Sequence, residues 1–125
     1  MVIDYLQLIQ SINPVGSRAA IIGELSRQVK QIAMENNVAM ILLSQLSRQS
    51  ELKEPTLSRL KESGDIENHA DIVLLIWWEW KADRDAKRDK QKIVVGKNRN
   101  GETGFCEVKW KAEHFKYSNL EEIGI

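Results

Sequence analysis

Met1-Val2-Ile3-Asp4-Tyr5-Leu6-Gln7-Leu8-Ile9 opens the 125-residue sequence with no loop, cap or polar lead-in. A stretch this apolar, rich in β-branched residues, predicts a strand buried within a parallel sheet rather than at its edge. Terminal residues are ordinarily frayed and solvated, so the chain reads as the back half of a larger core. Asn13-Pro14-Val15-Gly16-Ser17 supplies turn chemistry with Ser17 as an N-cap. Ile21, Leu25, Val29, Ile32 and Ala33 then predict one buried face of a helix running to about Asn36. Val38 to Leu43 predicts a second buried strand that ends in Ser44-Gln45. Strand, crossover helix and strand form a right-handed βαβ unit, the seed of an α/β fold with a mostly parallel sheet.

Further along, short helical pieces are expected around Leu57–Glu62 and Ile66–His69, and Ile72 to Trp78 predicts a third buried strand. The alternating charges of Lys81 to Lys92 read as a solvated hairpin arm, with a contact surface as the alternative. Lys92–Lys97 and Gly104–Trp110 read as strands of a C-terminal antiparallel hairpin, joined through Asn98-Arg99-Asn100-Gly101. Residues 1–125 are expected to form a single domain. Cys106, the single cysteine, is expected as a small buried hydrophobe. It excludes an intrachain disulfide framework and a cysteine-rich zinc module. Trp77, Trp78, Trp80 and Trp110 are expected in core and sheet packing, with base stacking as the alternative.

Eighteen Lys and Arg balance eighteen Asp and Glu, which excludes attachment to nucleic acid by bulk positive charge but not by a few focused contacts. The 42% hydrophobic and 29% charged content is that of a globular protein. No basic leader or long apolar run suggests export or membrane insertion, so a cytoplasmic location is expected.

In open parallel sheets, ligands lie beyond the carboxyl ends of the strands. The first strand delivers Asp4 there and the second delivers Gln45. A carboxylate after a buried apolar run suits a hydrated magnesium ion, though it is also an ordinary strand-end residue. A tip glutamine can orient water or sense a phosphate. Lys97 and Arg99, two residues apart near the hairpin tip, suit a polyphosphate clamp or plain solvation. Lys61-Glu62-Ser63-Gly64 offers backbone N–H groups and a cation to a phosphate, or simply ends a helix at Gly64.

Together these segments resemble the C-terminal half of a hexameric replicative DNA helicase of the DnaB type, with its RecA-like motor core. Val2 to Ile9 resembles that family's Walker B strand. Leu43-Ser44-Gln45-Leu46-Ser47-Arg48 resembles the sensor motif, and Leu60 to Gly64 through Ala70-Asp71 the DNA-binding loop with the helix behind it. Gly96-Lys97-Asn98-Arg99-Asn100-Gly101-Glu102-Thr103-Gly104 resembles the segment bearing the arginine finger. The four matches stand in the family's order.

The resemblance implies ATP and Mg2+ as cofactors, with Asp4 holding a magnesium-bound water and Gln45 coupling the γ-phosphate to the DNA loops. Arg99, with Lys97 beside it, would reach a neighbouring subunit's nucleotide, making Asp4, Gln45 and Arg99 the catalytic set. Lys61, Glu62 and Gly64 would touch single-stranded DNA in a homo-oligomeric ring of helicase subunits. The family commonly has Asp-Leu-Arg where this chain has Arg59-Leu60-Lys61. No Gly-x-x-x-x-Gly-Lys-Ser/Thr occurs in the sequence, so the chain is expected to carry half an ATPase site and to be inactive alone. The family's central Walker A strand would separate Val38–Leu43 from Ile72–Trp77, and its absence predicts open strand edges that are covered by self-association, with direct pairing of those two strands as the alternative. Another RecA-like ATPase, of recombinase or clock type, and a non-catalytic helicase-derived interaction module are the alternatives.

Overall fold

The computed structural model describes residues 1–11, 15–46, 53–57 and 66–120. The chain divides into two compact units, Met1–Ser47 with Leu57–Ala70, and Arg48–Thr56 with Asp71–Ile125.

The first unit contains the βαβ element. Strands β1 (Val2–Ile3) and β2 (Ile41–Leu42) pair in parallel, Val2 opposite Ile41 and Ile3 opposite Leu42. Helix α1 (Arg18–Glu35) connects them, and its N-cap is Ser17, whose hydroxyl accepts the Ala20 N–H at 3.3 Å. At the other end Asn37 takes a positive φ of 49°. The Val38 N–H then reaches the Ala33 carbonyl and the Asn37 N–H reaches that of Met34. This is the paired closure of a Schellman motif, with asparagine in the position that usually favours glycine.

Both strands are shorter than the sequence suggests. After Ile3 the chain leaves the ladder, and the 3-10 turn Leu6–Leu8 brings Leu6 into the core while its N–H donates to Leu43 O at 2.8 Å. Leu6 is fully buried against Ile22, Leu25 and Ile66, the last on helix α2 (Ile66–His69). The buried part of α1 is accordingly Ile22, Gly23, Leu25 and Ser26, while Ile32, expected on the buried face, is exposed. Leu6 and Ile66 cover only the first turns of the helix, so its apolar stripe is buried there alone. The expectation of strands buried on both faces also fails: Val2 and Ile41 are exposed.

The second unit holds a four-stranded antiparallel sheet in the order β3-β4-β5-β6. Its strands are β3 (Ile72–Trp77), β4 (Lys90–Asn98), β5 (Gly104–Lys111) and β6 (Lys116–Asn119). The antiparallel part is thus larger than a hairpin, since β3 joins β4 instead of a parallel neighbour. Burial alternates along β3: Val73 and Leu75 are buried, Ile72, Leu74 and Ile76 exposed. This is the period-two pattern of a sheet covered on one face. Among the described residues no ladder joins β2 to β3.

The segment expected as a hairpin arm, Lys81–Lys92, is instead the end of helix α3 (Glu79–Ala82), a series of turns, and the start of β4. The β4–β5 connection is not a two-residue Asn-Gly turn. Asn98 closes a longer loop, accepting the Asn100 N–H at 3.3 Å and donating to the Glu102 carbonyl at 3.2 Å. A Cβ at Gly101 would lie 2.7 Å from Asn98 Nδ2, so a larger residue there would displace the Asn98 carboxamide from this closure. Cys106, expected buried, is exposed. It lies opposite Ile93 on a stretch of β5, Gly104–Cys106, that is exposed throughout.

Candidate functional site

The parallel ladder fixes what its strand ends present. Ile41 N–H donates to Met1 O and Leu43 N–H to Ile3 O, so the two strands terminate side by side. Asp4 leaves the carboxyl end of β1, and Ser44-Gln45 follows β2 by two residues. Both Asp4 and Gln45 are exposed, and the Asp4–Tyr5 peptide is cis. Asp4 makes no hydrogen bond or ion pair among the described residues. An exposed carboxylate of this kind fits a magnesium ion that keeps its water shell.

A residue that sequence reasoning passed over braces this end. Gln7 Nε2 donates to Ser44 Oγ at 2.9 Å and to Gln45 O at 3.4 Å, and Gln7 Oε1 accepts the Gln45 N–H at 3.4 Å. One carboxamide therefore holds the main chain of Gln45 from both its donor and its acceptor sides. The signal was present in the sequence only as a glutamine inside an apolar run, where a polar side chain needs a partner.

Lys97 and Arg99 differ from the expected pair projecting from one extended strand. Lys97 lies within β4 opposite Val73, while Arg99 stands beyond the strand end in the turn. There the Arg99 N–H donates to Asp71 O at 2.9 Å and Nη1 lies 3.2 Å from Asp71 Oδ1. The register shift between Val73 and Leu74 accompanies this junction. Lys61, Glu62 and Gly64 lie outside the described residues, as does all but the first residue of the helix expected over Leu57–Glu62.

His69 donates or accepts at Ser26 Oγ over 3.0 Å, and that hydroxyl also donates to Gly23 O at 2.8 Å. Because the single hydroxyl proton serves Gly23 O, His69 Nδ1–H is the donor to Ser26, which gives this pair a structural role. Among the described residues no group of His, Cys, Asp or Glu is arranged to hold a metal ion directly, and no helix is long and apolar enough to cross a membrane.

A family model described as the DnaB-like helicase C terminal domain matches residues 1–119. A probable replicative DNA helicase from Trieres chinensis is 40% identical over 125 residues, covering 94% of this chain. The replicative DNA helicase DnaB of Rickettsia felis is 40% identical over 141 residues, covering 96%, and the replicative DNA helicase DnaC of Bacillus subtilis is 40% identical over 126 residues, covering 97%. The chain spans 28% of the length of each of these relatives. Among solved structures, a DnaB-like replicative helicase described with its primase interactions superposes with a TM-score of 0.88 at 35% identity, over 96% of this chain and 30% of that one. A second structure, described as an ATPase domain, gives the same score and identity, over 96% of this chain and 44% of its own.

Proposed function

Because the chain belongs to the DnaB-like helicase C-terminal domain family, we propose that it is part of the ATP-driven motor of a replicative DNA helicase, which unwinds duplex DNA as a cytoplasmic homo-oligomeric ring. The observation that carries this reading is the placement of Asp4 and Gln45 beyond the carboxyl ends of two adjacent parallel strands, with Gln7 fixing the main chain of Gln45. Ligands of α/β sheets bind at such an end. Asp4 holds magnesium through water, and magnesium when bound neutralises charge on the phosphate oxygens. Gln45 presents a neutral carboxamide to the terminal phosphate of ATP. Arg99, with Lys97, serves a nucleotide bound to the neighbouring subunit. Lys61, Glu62 and Gly64 contact the phosphates of single-stranded DNA.

Arg99 is suited to action in trans because its guanidinium is largely exposed at a loop tip and, among the described residues, held only through Nη1. Its remaining N–H groups are available to a phosphate. The test supplies this chain to an intact helicase subunit whose own arginine finger has been removed. ATP turnover should recover, and Arg99→Ala should recover nothing. An arginine finger is worth ~10³–10⁵ in rate in phosphoryl transfer, so incomplete docking still gives a measurable signal. Equal recovery with Arg99→Ala overturns the assignment.

A further inference from the structure

The loop between β3 and β4 assembles two half-buried indoles and three exposed cations into one ledge. Trp78 and Trp80 lie with ring centroids 5.3 Å apart, tilted by 33°. Arg84 lies over the Trp80 ring at 3.9 Å from its centroid and Arg88 at 5.2 Å from the same centroid, while Lys81 Nζ is 5.8 Å from that of Trp78. Trp78 Nε1–H donates to Arg88 O at 2.9 Å and ties the two ends of the loop together. Trp78 and Trp80 are half-buried and not fully in the core, and each also meets the other ring and nearby cations.

Among the described residues none of the loop's acids, Glu79, Asp83, Asp85 and Asp89, forms an ion pair with these cations. Asp83 is used by the turn, accepting the Asp85 N–H at 3.0 Å, and Asp89 pairs with Lys109 at 3.6 Å. Lys81, Arg84 and Arg88 make no ion pair among the described residues. A guanidinium lying over an aromatic ring keeps its N–H donors at its edge, free for bidentate binding of an oxyanion. Two such groups over one ring repel each other, and an anion placed between them relieves that repulsion.

We propose that this ledge binds a phosphate-bearing single strand of nucleic acid, with Trp80 holding Arg84 and Arg88 toward phosphates and the Trp78 ring offering surface to a base. Stacking on aromatic faces combined with backbone phosphate contact is how single strands are bound without sequence preference. An acidic peptide would use the cations and leave the indoles idle, which favours the nucleic acid. The choice of strand rests on the helicase reading, but the residues are separate from the Lys61–Gly64 loop assigned there to DNA.

The test measures binding of labelled oligothymidylate to the full chain by fluorescence anisotropy across a salt series. Circular dichroism checks that each variant keeps its fold. Arg84→Ala with Arg88→Ala should weaken binding about tenfold or more, and should reduce the slope of log K against log salt by ~1.4, about 0.7 per lost phosphate. Trp80→Phe should weaken it less than Trp80→Ala, and polyglutamate should not compete. Unchanged affinity and slope in the arginine double variant, no binding by the parent chain, or competition by polyglutamate equal to that by unlabelled strand each overturn the proposal. Lys61→Ala serves as the independent arm. Loss there with no change at Arg84 and Arg88 ends this proposal and leaves the helicase reading standing. Loss at the two arginines with none at Lys61 supports the ledge and removes Lys61 from DNA contact.

Discussion

Arg99 is bound to Asp71 twice, once through the main chain at 2.9 Å and once from Nη1 to Oδ1 at 3.2 Å. The first bond fixes where the loop leaves β4. The second restricts where the guanidinium points, although both side chains remain substantially exposed, at 70% and 46%. An ion pair this wet adds little to stability. Its value to a reaction lies in orientation, because an arginine already near its working rotamer loses less entropy on meeting a phosphate.

Asp71→Ala should therefore lower stability by no more than ~1 kcal/mol, yet reduce Arg99-dependent stimulation of a neighbouring ATPase about tenfold, the effect of misplacing a positioned group. Asp71→Glu should restore part of that loss, since the carboxylate is kept. Denaturant melts and turnover in the mixed assembly measure the two effects separately. Stimulation that survives Asp71→Ala intact shows that Arg99 needs no such guide.

Gln7→Ala should release the Gln45 segment. Three hydrogen bonds run between the Gln7 carboxamide and Ser44-Gln45, but two are long and exposed, so the net loss is about 1 kcal/mol rather than their sum. Amide exchange at Gln45 should accelerate while exchange at the α1 amides stays as it was. Unaltered protection at Gln45 would mean the β2 ladder alone holds it.

What could be read from the sequence followed what local chemistry determines. Ser17 caps α1 because its hydroxyl reaches the first free N–H groups, and the strand tips carry Asp4 and Gln45 because each apolar run stops there. Failures arose where tertiary cover decides. Ile32 and Cys106 sit in patterns that predict burial, yet what lies opposite each residue sets its exposure, and neither is covered. For Trp80, hydrophobicity alone does not show that Arg84 and Arg88 fold back over its ring. Gln7 and Asp71 were missed as partners because their contacts cross 37 or more and 28 residues of chain, beyond any periodic signal.

Glu24 provides a pH-dependent readout of α1. Hydrogen bonds from Arg27, first, and Gln28 hold its carboxyl at about 2, down from an ordinary 4.5. Arg27 grips both oxygens, Nε at 2.8 Å and Nη2 at 2.7 Å. A carboxyl held low in the folded state favours folding above its unfolded value and loses that contribution as pH falls. Helical signal should thus decline between about pH 4.5 and 2, and Glu24→Gln should flatten that part of the titration. The group is fully exposed, so the change is small and sensitive to salt. An NMR titration placing the Glu24 carboxyl at its ordinary midpoint would contradict the assigned pairing.

The β3 face should make the isolated chain associate with itself. Ile72, Leu74 and Ile76 are 58%, 59% and 56% exposed, three consecutive outward positions of one strand. Among the described residues β3 is also the edge of its sheet, with a ladder only to β4. An apolar face beside an unpaired edge invites a second strand, because pairing satisfies the free N–H and C=O groups while covering the side chains. Sedimentation should give a mass above the 14.4 kDa of one chain, increasing with concentration. Replacing Ile72, Leu74 and Ile76 together by Thr places β-branched residues of high strand propensity at all three positions but removes much of the apolar surface. That variant should sediment as a smaller species at the same concentration and keep its circular dichroism. Leu74→Lys alone should act in the same direction, by placing a charge where a second copy would pack. If the parent chain remains a monomer at high concentration, or if neither variant alters its association, the β3 face is not the surface responsible.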